Sequence, residues 1–222
     1  MEEKKLIIFS DFDGTFTVKD VGNRIFTLFS DGRNEQLVAD WKQGLISSRE
    51  CLLREAELVK VSPEEFYSLL DSFELRAGAA DLYQMSRENK IPFYIVSDGT
   101  DLYIEYLLKQ FNMAEIPRYC NHGILEKGRL KLEFPHKNNG CTRCGSCKGE
   151  RIREIAGSRR HEFEVVFVGD GLSDICAVPE ADIIFARGDL LEYCRRCNIP
   201  AIEYQNFYDI LNWLKNSGRI AG

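Results

Sequence analysis

Leu6-Ile7-Ile8-Phe9-Ser10-Asp11-Phe12-Asp13-Gly14-Thr15 is the stretch from which the fold can be read. An apolar, β-favouring run stops abruptly at two carboxylates spaced i, i+2, followed by a glycine. That pattern predicts a buried strand delivering Asp11 and Asp13 to a loop at its carboxyl end. In open α/β sheets, ligands bind at that end of the strands. Two adjacent anions need a neutralising partner, and oxygen ligands at that density suit a hard cation such as Mg²⁺. The plainer alternative is an acidic turn, for which Asp-Gly is common.

The remainder of the chain favours the first reading. Of its 222 residues 44% are hydrophobic, enough for a packed core with a sizeable insertion. Lys and Arg number 29 against 35 Asp and Glu, a net charge of −6, which argues against nucleic-acid or membrane-surface binding. No apolar run approaches the length of a bilayer span. The run after Met1-Glu2-Glu3-Lys4-Lys5 is too short for the core of a signal peptide. A cytoplasmic protein is expected, and its eight cysteines are then thiols or metal ligands rather than structural disulfides.

From about Asp20 to Phe73 the apolar spacing is helical throughout. Ser47 or Ser48 with Glu50 looks like one helix start, and Ser62-Pro63-Glu64-Glu65 is a stronger one. This predicts a helical unit over 16–74, inserted between 1–15 and 75–222. Strand–helix alternation then resumes. Pro92–Val96 reads as a strand ending in Ser97-Asp98-Gly99-Thr100, and Val165–Val168 as another ending in Gly169-Asp170-Gly171-Leu172-Ser173-Asp174. Further strands are expected near Asp182–Phe185 and Ala201–Ile202. Residues 118–134 read as a β-hairpin arm around Lys127-Gly128. A helix opens at Cys147 or Lys148, and another covers Phe207–Asn216. Alternation of this kind implies an α/β fold with a parallel sheet covered on both faces.

On a parallel sheet these polar strand ends converge. They bring together Asp11, Asp13, Ser97, Lys148, Asp170 and Asp174, an inventory suited to Mg²⁺-assisted phosphoryl transfer. Metal and lysine neutralise the phosphate while a carboxylate attacks phosphorus.

In their order and content the four clusters resemble the motifs of the haloacid dehalogenase superfamily of phosphatases, over essentially the whole chain. The insertion after the first motif resembles that superfamily's type I cap on a parallel-sheet Rossmann-like core. The resemblance implies Asp11 as the nucleophile that becomes an aspartyl phosphate and Asp13 as general acid and base. It implies Ser97, Asp98, Gly99 and Lys148 as the phosphate-binding set. Asp170 would bind Mg²⁺ with Asp11 and the Asp13 carbonyl, and Asp174 would act through water or by orienting Lys148. The phosphoserine phosphatase branch is the most similar. It also holds a methionine-salvage phosphatase acting on 2-hydroxy-3-keto-5-methylthiopentenyl 1-phosphate, which the Cys-rich approach to Lys148 resembles, and phosphoethanolamine/phosphocholine phosphatases. Asp20 falls where phosphoserine phosphatases carry a Glu for the substrate ammonium. Their carboxylate-clamping arginine falls near Glu55 here, with Arg49 and Arg54 close by as specificity candidates. The implied partner is a small phosphorylated metabolite. A phosphotransferase would show the same motifs.

Cys141-x-x-Cys144-x-x-Cys147 runs directly into Lys148, and catalysis supplies no reason for it. The spacing admits zinc, with Cys120 or His122 as a fourth ligand, a reversible disulfide, or inert loop thiols. A zinc- or redox-responsive binding protein is therefore the rival from another class. Cys51 and Cys176 read as small core residues. Cys194 and Cys197, and the aromatics Tyr103 and Tyr106, carry no expected function. Oligomeric state is not legible.

Overall fold

The computed structural model describes residues 4–220. Its centre is β1 (Lys5–Ser10), flanked by β2 (Phe93–Thr100) on one side and β5 (Phe163–Gly169) on the other, both parallel to it. With neighbours on both edges and helices on both faces, β1 has no solvent side, which explains its unbroken apolar run. Alternate residues serve different cores. Leu6 and Ile8 pack with Phe12, Phe16 and Val166, whereas Ile7 and Phe9 pack with Val165 and Phe167 on the opposite face.

The seven strands lie in the order β4-β3-β2-β1-β5-β6-β7. The outer members are β3 (Arg118–Glu126), β4 (Arg129–Glu133), β6 (Ile183–Ala186) and β7 (Ile202–Glu203). All neighbouring strands are parallel except β4, which returns antiparallel along β3. The helices α5 (Ala79–Glu88), α6 (Asp101–Gln110), α7 (Lys148–Ala156), α8 (Gly188–Arg196) and α9 (Phe207–Asn216) connect and cover the sheet.

Four helices intervene between β1 and α5: α1 (Val21–Phe29), α2 (Glu35–Lys42), α3 (Ser48–Leu58) and α4 (Pro63–Leu70). Their starts follow the sequence signals. The Ser47 hydroxyl accepts the Glu50 N–H at 3.0 Å, and Ser62 and Glu65 form a reciprocal capping box ahead of Pro63. The chain enters and leaves this unit side by side. Thr17 bridges Leu75, the Val18 N–H donates to the Glu74 carbonyl at 3.0 Å, and the Arg76 N–H donates to Phe16 at 2.9 Å.

Two elements differ from expectation. β2 does not end at Val96 but continues through Ser97–Thr100. Its pairing with β3 shifts register between Val96 and Thr100, because Asn121 Nδ2 donates to the Asp98 carbonyl at 2.6 Å and holds the polar segment to the sheet. Residues 118–134 are also not a free arm. β3 is a full member of the sheet before it turns into the hairpin, and the hairpin tip docks on the helical unit, where the Val61 N–H donates to the Gly128 carbonyl at 3.1 Å.

Candidate active site

After Ser10 the chain turns through Phe12–Phe16, with Asp13 extended and Gly14 at a positive φ of 72°. A Cβ at Gly14 would also lie 2.7 Å from Asp170 Oδ2, so both conformation and space require glycine there. The turn directs Asp11 inward. Its Oδ1 accepts the Phe12 N–H at 2.7 Å and pairs with Lys148 Nζ at 2.9 Å. The same ammonium pairs with Asp174 and donates to Ser173 Oγ at 2.9 Å. All three charged side chains are buried. Asp174 is fixed further by the Asp170 and Gly171 N–H groups, at 2.8 and 2.9 Å to its Oδ2. Asp170 itself accepts from Thr15 Oγ1 at 2.8 Å.

Asp13 lies beside this triad with different partners. Its Oδ1 accepts the N–H groups of Val21 and Gly22 at 3.0 and 3.1 Å, at the first turn of α1, where a helix favours negative charge. Its Oδ2 accepts the Tyr103 hydroxyl at 2.7 Å and Ser97 Oγ at 3.3 Å, and Ser97 in turn accepts the Gly99 N–H at 2.9 Å. The position of Asp13 thus depends on where the helical unit sits.

Burial dominates the electrostatics. It raises the Asp11 carboxyl well above its ordinary value, aided by the Asp174 charge and opposed by Lys148. Asp13 is pushed to about 7, by burial and then by the Asp20 charge. Burial also takes Asp170 to about 6, with help from Asp174, and Asp20 to about 6, against a hydrogen bond from the Asn23 N–H. At Lys148 burial disfavours the charge, but Asp11 and Asp174 outweigh it and the ammonium is held well above its usual range.

The direction has a measurable consequence. These carboxyls bind protons more tightly folded than unfolded, so their stabilising contribution is complete below about pH 4 and is lost as pH rises through about 6–7. Metal-free protein should lose thermal stability between about pH 5 and 8, and saturating Mg²⁺ should flatten that slope. Melting curves across this range, with and without Mg²⁺, check it. Metal-free stability that stays flat or rises over the window contradicts it.

Asp98 lines the cleft beside Ser97 and Gly99, while several other expected residues lie away from it. The Asp98 carboxylate is consumed by Ser48 Oγ, the Ser146 N–H at 2.7 Å and Asn121 Nδ2 at 3.1 Å, so it ties α3 to the loop before Lys148. Arg49 turns from the cleft: its N–H donates to the Arg143 carbonyl at 3.1 Å and its guanidinium stacks on Phe134 at 4.6 Å. Arg54 is on the outer surface, paired with Glu50 at 2.6 Å. Both sit on the side of α3 away from the apolar seam. Asp20 does line the cleft, and so does the buried Glu55. Cys120 is buried in β3, outside the group formed by Cys141, Cys144 and Cys147. The His122 imidazole is engaged with Asp101 at 2.7 Å. Asp174 has both oxygens occupied, so it positions Lys148 and the Asp170 loop.

Two residues escaped the sequence reading. Tyr103 looks like helix packing, and only the fold shows its hydroxyl on Asp13. Arg76 is buried at the exit from the helical unit, where its guanidinium binds the carbonyls of Gly14, Thr15, Thr17 and Val18 and braces the turn carrying Asp11 and Asp13. A lone arginine after Leu75 carries no motif that could have shown this.

The cleft between the sheet and α1–α3 has a volume of about 390 Å³. Asp11, Asp13, Ser97, Lys148 and Asp170 form its floor. Phe26, Val38, Trp41 and Leu52 form an apolar wall, with Asp20 and Glu55 among them.

The family model described as "Putative Phosphatase" matches residues 5–198. The chain belongs to this phosphatase family. The 2-hydroxy-3-keto-5-methylthiopentenyl-1-phosphate phosphatase of Bacillus pumilus is 31% identical over 211 residues, 93% of this chain and 90% of that protein. The enzyme of the same name from Geobacillus kaustophilus is 31% identical over 217 residues, 96% of each. Among solved structures, a phospho-aspartyl intermediate analogue of phosphoserine phosphatase superposes with a TM-score of 0.72 at 20% identity, covering 95% of this chain and 99% of that one. A haloacid dehalogenase family hydrolase from Salmonella enterica serovar Typhi gives 0.74 at 17%, covering 94% and 71%. The phosphatase thus shares its fold with these structures, the α/β fold expected from its strand ends. No helix among the described residues is long and apolar enough to cross a membrane.

Proposed function

We propose that this phosphatase is a Mg²⁺-dependent, cytoplasmic phosphomonoesterase for a small metabolite, with Asp11 as nucleophile and the helices at 16–74 acting as a cap on a core formed by 1–15 and 75–222. The observation that carries the reading is the buried Lys148 held between Asp11 and Asp174 directly under an organic-sized cleft. Oxygen atoms of Asp11, Asp170 and Asp174 lie within 4.8 Å of one another, a hard-donor set that fits Mg²⁺. Asp11 and Asp170 would hold the ion with the Asp13 carbonyl. When bound, it neutralises phosphate charge and lowers the repulsion the attacking carboxylate meets.

The residues then divide the work. A carboxylate oxygen of Asp11 forms a bond to phosphorus as the ester P–O bond breaks, and protonated Asp13 passes its proton to the leaving oxygen. Asp13 next takes a proton from water as the water oxygen bonds phosphorus and the Asp11–phosphorus bond breaks. A carboxyl pushed to about 7 suits both duties near neutral pH. Tyr103 and the start of α1 orient it, while Ser97 and Lys148 receive phosphate oxygens. Because α1 supplies two of the Asp13 bonds, seating of the cap and readiness of the acid are coupled.

The wall speaks to the leaving group. A substrate carboxylate would face Glu55, and among the described residues no arginine lines the cleft to clamp it, which disfavours phosphoserine. The apolar side chains suit the thioether tail of 2-hydroxy-3-keto-5-methylthiopentenyl 1-phosphate, named for the relatives at about 30% identity. A second reading has its own support: Asp20, Glu55 and Trp41 together suit a cationic head such as phosphoethanolamine or phosphocholine. Phosphate release with Mg²⁺ against these four compounds tests both. The enol phosphate should be turned over at least about tenfold faster (kcat/KM) than phosphoserine, roughly 1.4 kcal/mol of discrimination. Preference for the cationic esters selects the second reading, and preference for phosphoserine removes both. Added acceptor alcohols that divert phosphate from water would reveal a phosphotransferase.

A further inference from the structure

We propose that Cys141, Cys144, Cys147 and Cys176 form a tetrathiolate zinc site that fastens the Lys148 loop to the Asp174 segment. The sulfur atoms of Cys141, Cys144 and Cys147 lie within 4.8 Å of one another, and all eight cysteines are unbridged. A tetrahedral Zn–S₄ centre with Zn–S near 2.3 Å has sulfurs about 3.8 Å apart, so the three need only a small contraction. The fourth ligand comes from outside the loop. Cys176 lies in the segment after β5, outside the three-sulfur group but packed against Gly149 at the start of α7, where its thiol neighbours those of Cys144 and Cys147. The chain thus reads Cys-x₂-Cys-x₂-Cys followed, after β5, by a single distant Cys.

The backbone supports the same assignment. The Cys144 N–H points at Cys141 Sγ at 3.5 Å. N–H···S bonds of this kind stabilise thiolate ligands and fix their direction. The close approach is built in at Gly149, where a Cβ would lie 2.1 Å from the Cys176 carbonyl oxygen. Only glycine lets α7 and the Cys176 segment come near enough for the thiols to converge.

The site has a purpose in the fold. Cys147 immediately precedes Lys148, and Cys176 follows Asp174 by two residues. A zinc ion joining them would hold the two sides of the buried Lys148–Asp174 pair in register. The loop also meets the helical unit, where the Arg49 N–H donates to the Arg143 carbonyl at 3.1 Å. Binding releases one proton per thiol to solvent and involves no redox change.

The test is metal analysis of the full chain, purified in thiol-containing buffer without chelator. We expect about one zinc per chain, released by a mercurial thiol reagent. Exchange for Co²⁺ should give sulfur-to-cobalt charge-transfer bands and the intense visible bands of a tetrahedral site. Cys176→Ser should lose zinc to a competing chelator by more than the roughly 10–100-fold expected from loss of one supporting hydrogen bond, while Cys120→Ser retains it. Should Cys176→Ser fail to fold, the wild-type cobalt spectrum still decides, since its charge-transfer intensity scales with the number of thiolates. Wild-type protein that holds no zinc and gives no thiolate–cobalt bands overturns the proposal. So does iron with sulfide in place of zinc, a disulfide among the four cysteines, or zinc retained in Cys176→Ser and lost in Cys120→Ser.

Discussion

Asp11→Asn should abolish phosphate release, lowering kcat by at least about 10⁴-fold, while leaving the protein folded and no less stable. The amide matches the carboxylate in shape and can still accept the Phe12 N–H, but it cannot form an acyl phosphate. Stability separates this loss of chemistry from a loss of fold. Asp11 is an expensive residue to keep charged, because burial and the Asp174 charge both oppose its ionised form. Neutralising it leaves Lys148 with Asp174 as its partner, so one buried anion is removed and no cation is stranded. The melting temperature of Asp11→Asn in metal-free buffer should equal or exceed that of the wild type. Residual turnover within about a hundredfold of wild type would remove Asp11 as the nucleophile.

The sheet was legible because its strands are short apolar runs, each stopped by a polar cluster, and parallel topology forces those stops to one edge. Asp11, Asp13, Ser97, Lys148 and Asp170 were found that way, and all meet on the floor of one cleft. What stayed hidden depends on side-chain direction across elements far apart in sequence. Asp98 sits inside a motif, yet its carboxylate points back to Ser48 and Ser146, and nothing in Ser-Asp-Gly-Thr gives that direction. Arg54 and Arg49 lie one and six residues before the clamp position, but α3 turns them outward and presents Glu55 instead. Cys176 was lost among core residues because its partners lie about thirty positions earlier, joined by an approach that Gly149 alone permits. Tyr103 and Arg76 act on single atoms of the first loop, a contact that leaves no periodic trace.

Lys148→Met should be the most damaging single change, because it removes a shared cation from two buried acids at once. The Lys148 ammonium meets Asp11 and Asp174 in a site where all three side chains are almost wholly enclosed. Methionine fills similar volume but leaves two carboxylates facing each other without a counter-charge. Breaking a buried ion pair by deleting one partner costs about 3–5 kcal/mol, and here the deleted partner serves two. For a chain of this size that is a fall in melting temperature of roughly 10 °C or more. The folded protein can reduce the penalty only by protonating one of the acids. Its carboxyls would then be raised even further than Asp11 is in the wild type, and the deficit should shrink at low pH. The sign is diagnostic: the gap between wild type and Lys148→Met should widen as pH rises from about 5 to 8, and Mg²⁺ should narrow it by supplying charge to Asp11. Turnover should fall by at least about 10³-fold even with Mg²⁺ present, since the phosphate loses its fixed cation. Lys148→Arg tests geometry against charge. It keeps the charge, but its planar fork cannot fit the single point where Asp11, Asp174 and Ser173 converge, so it should recover part of the stability and little of the activity. If Lys148→Met melts with the wild type at every pH, the ammonium is not the charge that holds these acids together. The Asp11–Lys148–Asp174 triad would then have to be abandoned as the centre of the site.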